Sequence, residues 1–253
     1  MPPRYSSPYG SSFSFGPGPL SSAMKGLIGA NVAVFFAQLL LPERMLTLGL
    51  QPAAVIHGLR VWQLVTYMFL HGGPFHILFN MLFLWMFGTE LERTWGTRFF
   101  LKFYFVTGVG AAILTVLFSL LPFAVSAQIY SAVTIGASGA IYGLLVAYGL
   151  YFPNRPIFMF PFPMPIPVKV FVWIMGGLAF YASLAGGGGV ANATHLGGLL
   201  VGYVYLKGLR VNLRLHPMAE VKYRYVKWRM DRLRKKFGVH TGGRANDWDR
   251  RVH

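Results

Sequence analysis

VTIGASGAIYGLLVAYGLYF, residues 133–152, holds no charged side chain and matches the roughly 20 apolar residues that carry a helix across a bilayer. Inside it lies Ser138, in the setting Gly136-Ala137-Ser138-Gly139. A second apolar segment, 193–210, carries His195 in the setting His195-Leu196-Gly197-Gly198. A polar side chain in a membrane-length block is costly, so each marks a functional site by default. No carboxylate lies between Glu92 and Glu220, and the 253-residue chain has no cysteine. Hydrolytic chemistry in the apolar part must therefore run on serine and histidine alone, without disulfides or thiolate metal sites.

The composition agrees with a membrane class. Hydrophobic residues make up 55 % of the chain and charged residues only 12 %, against about 25 % in a soluble domain. Further apolar segments are read at 24–41, 74–91, 99–121 and 168–185, which gives six spans and an all-α polytopic membrane protein. Gly72-Gly73-Pro74, Pro122, Pro153, the proline run 160–167 and the glycines 186–189 separate them. Segment 42–73 is less apolar and reads as a long loop lying partly in the membrane interface, where Trp62 and Tyr67 would suit. The proline run reads as an extended linker, and Gly186–Gly189 as a connector or a mobile cap over the site.

Three parts result: a Ser/Gly/Pro-rich tail at 1–22, a six-helix domain at 23–210 and a basic tail at 211–253. Lys and Arg crowd behind the last span and flank the loops after spans two and four. The loops at 122–132 and 186–192 contain none. By the positive-inside rule both termini face the cytoplasm. The net charge of +16 is then mainly a topology signal. Anionic lipid headgroups are the expected partner of the basic tail, with an interfacial helix plausible over 211–239, and no nucleic acid is expected. Six spans without a targeting presequence suit a bacterial inner membrane.

With this orientation spans two, four and six all begin on the outer side. His76, Ser138 and His195 then fall in one layer a few residues below the outer surface. Spacing agrees: His76 and Asn80 stand at i and i+4, as do Ser138 and Tyr142. Gly139 and Gly143 form a small-xxx-small pair, and His195, Gly198 and Gly202 form a stripe, so spans four and six can approach closely. Close approach brings serine within reach of imidazole. His195 would act as general base toward Ser138 and then as general acid toward the leaving amine. With no acid nearby the pair is a dyad, and packing, with the Tyr142 ring a candidate, has to orient the imidazole. His76, Asn80 and the Ser138 backbone N–H are the candidate oxyanion donors. Taken singly, each has another reading: Ser138 as a packing residue, His195 in a proton relay, Asn80 as interhelical glue. No metal or organic cofactor is implied, because there is no HExxH pair, no cysteine and no phosphate-cradling glycine motif.

The ordered strings His76-Ile77-Leu78-Phe79-Asn80, Gly136-Ala137-Ser138-Gly139 and His195-Leu196-Gly197-Gly198 resemble the signature of the rhomboid intramembrane serine proteases, over residues 24–210. The resemblance implies a six-helix bundle with a water-filled cavity open to the extracytoplasmic side. It implies cleavage of transmembrane proteins near their outer ends, with Ser138 as nucleophile, His195 as base, His76 and Asn80 as oxyanion partners and Tyr142 stacked on His195. Glu92 and Gly96 resemble the family's Glu-xxx-Gly stretch, a loop-structure feature, and His71 matches a structural histidine. Two departures stand out. The first loop has Trp62-Gln63 where the family often has Trp-Arg, and Thr194 replaces a frequent Ala before the histidine. A catalytically silent relative that binds membrane clients is the alternative, and a small transporter the more distant one. The latter would show intramembrane charges or an internal repeat.

Overall fold

The computed structural model describes residues 18–158, 165–184, 189–214 and 232. Residues up to Leu206 make one compact unit; of a second unit from Lys207 onward, only the last residues of a helix ending at Arg214, and Arg232, are described. The tail before residue 18, the centre of the proline run, glycines 186–188 and nearly all of the basic tail lie outside the described residues.

Helix α1 (Ser22–Leu40) begins at Ser21, whose Oγ accepts the Met24 N–H at 3.0 Å and donates to Glu92 Oε2 at 2.5 Å. Segment 42–73 is not the plain loop its polarity suggested. It folds into α2 (Pro42–Leu46), α3 (Pro52–Gly58), α4 (Gln63–Thr66) and a 3₁₀ turn at Tyr67–Phe69. Prolines open α2 and α3 at the first helical position, where no N–H is needed. Gln63 anchors the segment: it is buried, accepts the Gln51 N–H at 3.1 Å and donates to the Thr47 carbonyl at 2.9 Å. Trp62 is half exposed. Tyr67 is not interfacial. It is fully buried, and its hydroxyl donates to the Gly108 carbonyl at 2.7 Å, because a buried phenol needs an acceptor.

Helix α5 (Pro74–Phe83) continues through a π-turn (Leu84–Gly88) into α6 (Thr89–Trp95). Gly96, at φ 78°, turns the chain into α7 (Thr97–Ser119). Buried Glu92 accepts Thr97 Oγ at 2.7 Å as well as Ser21, so one carboxylate ties the starts of α1 and α7 to the end of α6. Helix α8 (Ala124–Ser131) occupies the connection read as a plain loop. The next span does not become helical at 133. Residues Leu50 and Thr134 exchange both backbone hydrogen bonds, at 2.9 and 2.8 Å, and Gly136 N–H donates to the Tyr67 carbonyl at 2.9 Å. These bonds hold 133–136 extended, so α9 (Ser138–Tyr151) starts at the serine itself.

Two short antiparallel strands follow, β1 (Pro156–Phe158) and β2 (Pro165–Pro167), with Ile157 opposite Ile166. They are a departure from an all-α chain and pair part of the proline segment read as a linker. Arg155, just before β1, forms an ion pair with Glu90. The hydrogen bond to Glu90 holds the Arg155 pKa above even the usual arginine value, so the guanidinium stays charged. Then come α10 (Val168–Leu184) and α11 (Gly189–Arg214). His195 is thus nearly two turns inside its helix rather than at its opening.

Helices α1 and α7 are long and apolar enough to cross a membrane by themselves. The 14 residues of α9 reach only about 21 Å at 1.5 Å each, against about 30 Å of hydrocarbon. The residues before α9 are extended, and Leu50 and Tyr67 satisfy their backbone groups. The core gathers around α7 and α9, where Phe100, Phe103, Tyr104, Ala140 and Leu144 are fully buried.

Candidate active site

Ser138 sits at the N-terminus of α9, where helical N–H groups have no partner within the helix. Its Oγ lies 2.8 Å from Nε2 of His195 on α11. The Tyr142 ring, one turn below the serine, stacks on the imidazole with centroids 4.3 Å apart and planes 8° from parallel. Orientation by stacking thus takes the place that a carboxylate would fill.

Glycine makes the approach of α9 and α11 possible. A Cβ on Gly198 would fall 2.0 Å from the Gly139 carbonyl oxygen, and one on Gly202 would fall 3.0 Å from the Gly143 Cα. On the far side of α9, Gly143 packs on Thr107 and Gly108 on Ala140 of the opposite helix. The Gly139–Gly143 and Gly198–Gly202 pairs therefore face each other backbone to backbone, as the spacing suggested.

His76, in the first turn of α5, accepts the Gly72 N–H on Nδ1 at 3.1 Å. In the neutral ring the proton then resides on Nε2, which makes that atom a donor. Nε2 points to the segment before Ser138: a Cβ on Gly136 would come within 2.8 Å of it. Gly136 has φ 127°, so glycine is needed there both for the backbone and for the space. Asn80 is buried; its Nδ2 donates to the His76 carbonyl at 2.9 Å, leaving one further amide proton. His76, Asn80, Ser138, Tyr142 and His195 all line one cavity of about 150 Å³, walled on its apolar side by Phe83, Phe171 and Met175. His71 stays outside that lining. Its ring meets His76 edge to face at 5.1 Å, and its backbone N–H donates to Gln38 of α1 at 2.8 Å, which is structural work.

Two contributors escaped sequence reasoning. Tyr67 holds the strand-like segment ahead of Ser138 through its carbonyl and reaches α7 through its hydroxyl. Thr115 of α7 hydrogen-bonds Thr194 hydroxyl to hydroxyl at 2.9 Å, both side chains being buried. An alanine at 194 could not make this bond, so the departure from the family's frequent Ala adds a clamp next to His195. Thr194→Val is expected to destabilise the protein by about 1 kcal/mol while Thr194→Ser does not. Thermal unfolding of the three forms in detergent checks this.

The family model described as Rhomboid domain matches residues 58–211. The chain is 33 % identical over 161 residues to Rhomboid protease GluP of Bacillus subtilis, covering 64 % of this chain and 28 % of the relative. It is 30 % identical over 194 residues to Rhomboid protease AarA of Providencia stuartii, covering 70 % and 68 %. Identity to RHOMBOID-like protein 1 of Arabidopsis thaliana is 37 % over 98 residues, 39 % of this chain and 23 % of the relative. The chain thus spans about a quarter of the Bacillus and Arabidopsis relatives.

Proposed function

The chain belongs to the rhomboid family and is an integral membrane protein, and from that premise we propose that it is an intramembrane serine endopeptidase. The observation that carries the proposal is the 2.8 Å Ser138–His195 contact under a stacked tyrosine. His195 Nε2 takes the Ser138 proton as Oγ attacks the scissile carbonyl, then passes it to the departing amine. The Ser138 N–H, the His76 Nε2–H and the Asn80 amide receive the oxyanion. Gly136 and Gly139 give the loop and helix start their close approaches, and Gly198 and Gly202 hold α11 against α9. Water then hydrolyses the acyl-enzyme, with His195 reversing its two roles.

Six crossings are proposed: α1, α5 with α6, α7, α9, α10 and α11. The positive-inside bias places both termini in the cytoplasm, in what we take to be a bacterial inner membrane, and the cavity toward the outer side. The substrates are transmembrane proteins cut near their outer ends, at helix-breaking positions where the peptide bond is no longer shielded. We assign 23–210 as the protease domain between a flexible tail and a basic tail that meets anionic headgroups. No cofactor enters the chemistry proposed here. The hydrogen-bonded dyad favours this reading over a silent client-binding relative.

The test is cleavage of a reporter transmembrane protein by the purified chain in liposomes, with and without a fluorophosphonate. Fragments ending near the outer membrane face, and their disappearance with the inhibitor, are expected. Intact reporter under all conditions would remove the enzymatic reading.

A further inference from the structure

Helix α10 has two working faces. Phe171 and Met175 look into the dyad cavity, whereas Lys169, Val172, Trp173, Gly176 and Phe180 line a second, larger cavity. This one has a volume of about 660 Å³. Its floor is α9 at Val146 and Gly149, and its other wall is α11 between Leu196 and Tyr203. Trp173 and Tyr203 are well exposed, so in an integral membrane protein the groove opens to lipid.

Its dimensions discriminate between occupants. From Lys169 to Phe180 it follows α10 for about 16 Å at 1.5 Å per residue. That is one leaflet, half of the roughly 30 Å hydrocarbon core, and about half of what a crossing helix needs. All but one of its lining side chains are uncharged, and the exception, Lys169, stands at one end. Lys169 is exposed and makes no ion pair among the described residues. Midway along, glycine leaves the groove open: a Cβ on Gly177 would meet nothing within 4 Å, and one on Gly176 only the Leu199 side chain.

We propose that this groove is a binding site for one anionic glycerophospholipid of the leaflet at the Lys169 end. One acyl chain lies over Gly176 and Gly177, and the phosphate meets the Lys169 ammonium. The site is separate from the dyad and does not depend on the protease being active.

Native mass spectrometry of the full chain, released from detergent after addition of dioleoylphosphatidylglycerol or dioleoylphosphatidylcholine, tests this. One phosphatidylglycerol per chain is expected, favoured about five-fold over phosphatidylcholine. Gly177→Leu, which fills the groove, loses the adduct of both lipids. Lys169→Gln, an exposed change that leaves the fold intact, equalises the two. A phosphatidylglycerol preference that survives Lys169→Gln would overturn the proposal. So would equal lipid retention by wild type and Gly177→Leu, or a polyleucine transmembrane peptide that displaces the lipid from wild type and takes its place.

Discussion

Replacing Ser138 by alanine is expected to lower the rate of reporter cleavage by about 10⁴-fold or more, with little change in the folded state. Among the described residues that line the cavity, Ser138 is the one whose hydroxyl is hydrogen-bonded to an imidazole, 2.8 Å from His195 Nε2. His76 and Asn80 remain in place, so any residual rate reflects oxyanion stabilisation alone. The fold tolerates the change because the bond that is lost is the one between the Ser138 hydroxyl and His195. Loss of one such bond costs about 1 kcal/mol, and alanine suits a helix start sterically. Cleavage kinetics together with thermal unfolding separate the two effects. Normal unfolding with near-wild-type cleavage would dismiss Ser138 as nucleophile.

Gly198→Val is expected to have the next largest effect, for a different reason. The new Cβ would fall 2.0 Å from the carbonyl oxygen of Gly139, which belongs to helix backbone and cannot rotate away. The helices must part by about 1.5 Å to reach normal contact, and overpacking of this kind costs about 1–3 kcal/mol. A displacement near 1 Å can lower a rate by about 10²-fold. His195 is carried on the same face three residues away, so its bond to Ser138 lengthens with the shift. Gly29→Ala on α1, where a Cβ meets nothing within 4 Å, is the matched control and should behave as wild type. Cleavage rates and unfolding temperatures of the two variants decide the matter. An active, stable Gly198→Val protein would mean that the α9–α11 contact is not what holds the dyad.

The residues of the dyad and its glycine seam were legible because their information is local. Gly139, Gly143, Gly198 and Gly202 recur at helical spacing, and Tyr142 lies one turn from Ser138. The start of α9 was not legible. Residues 133–136 are as apolar as the helix after them, and they stay extended because Leu50 and Tyr67 take their backbone hydrogen bonds. Tyr67 shows the same limit: an aromatic phenol in a polar segment suits an interface, and only the distant Gly108 carbonyl reveals a buried role. Gln63 and Thr194 departed from the family pattern, and their partners, Gln51, Thr47 and Thr115, lie on separate elements that spacing alone does not relate. The pairing of β1 with β2 was hidden because prolines argue against strands except at edges, and both strands of a two-stranded sheet are edges.

The most direct test of the account is to locate the covalent adduct after treating the full chain with a fluorophosphonate, by peptide mass spectrometry, in wild type and His195→Ala. The account predicts an adduct on Ser138 in wild type and none in the variant, because the hydroxyl is reactive only beside its base. An adduct on another serine, or equal labelling of Ser138 without His195, would contradict it.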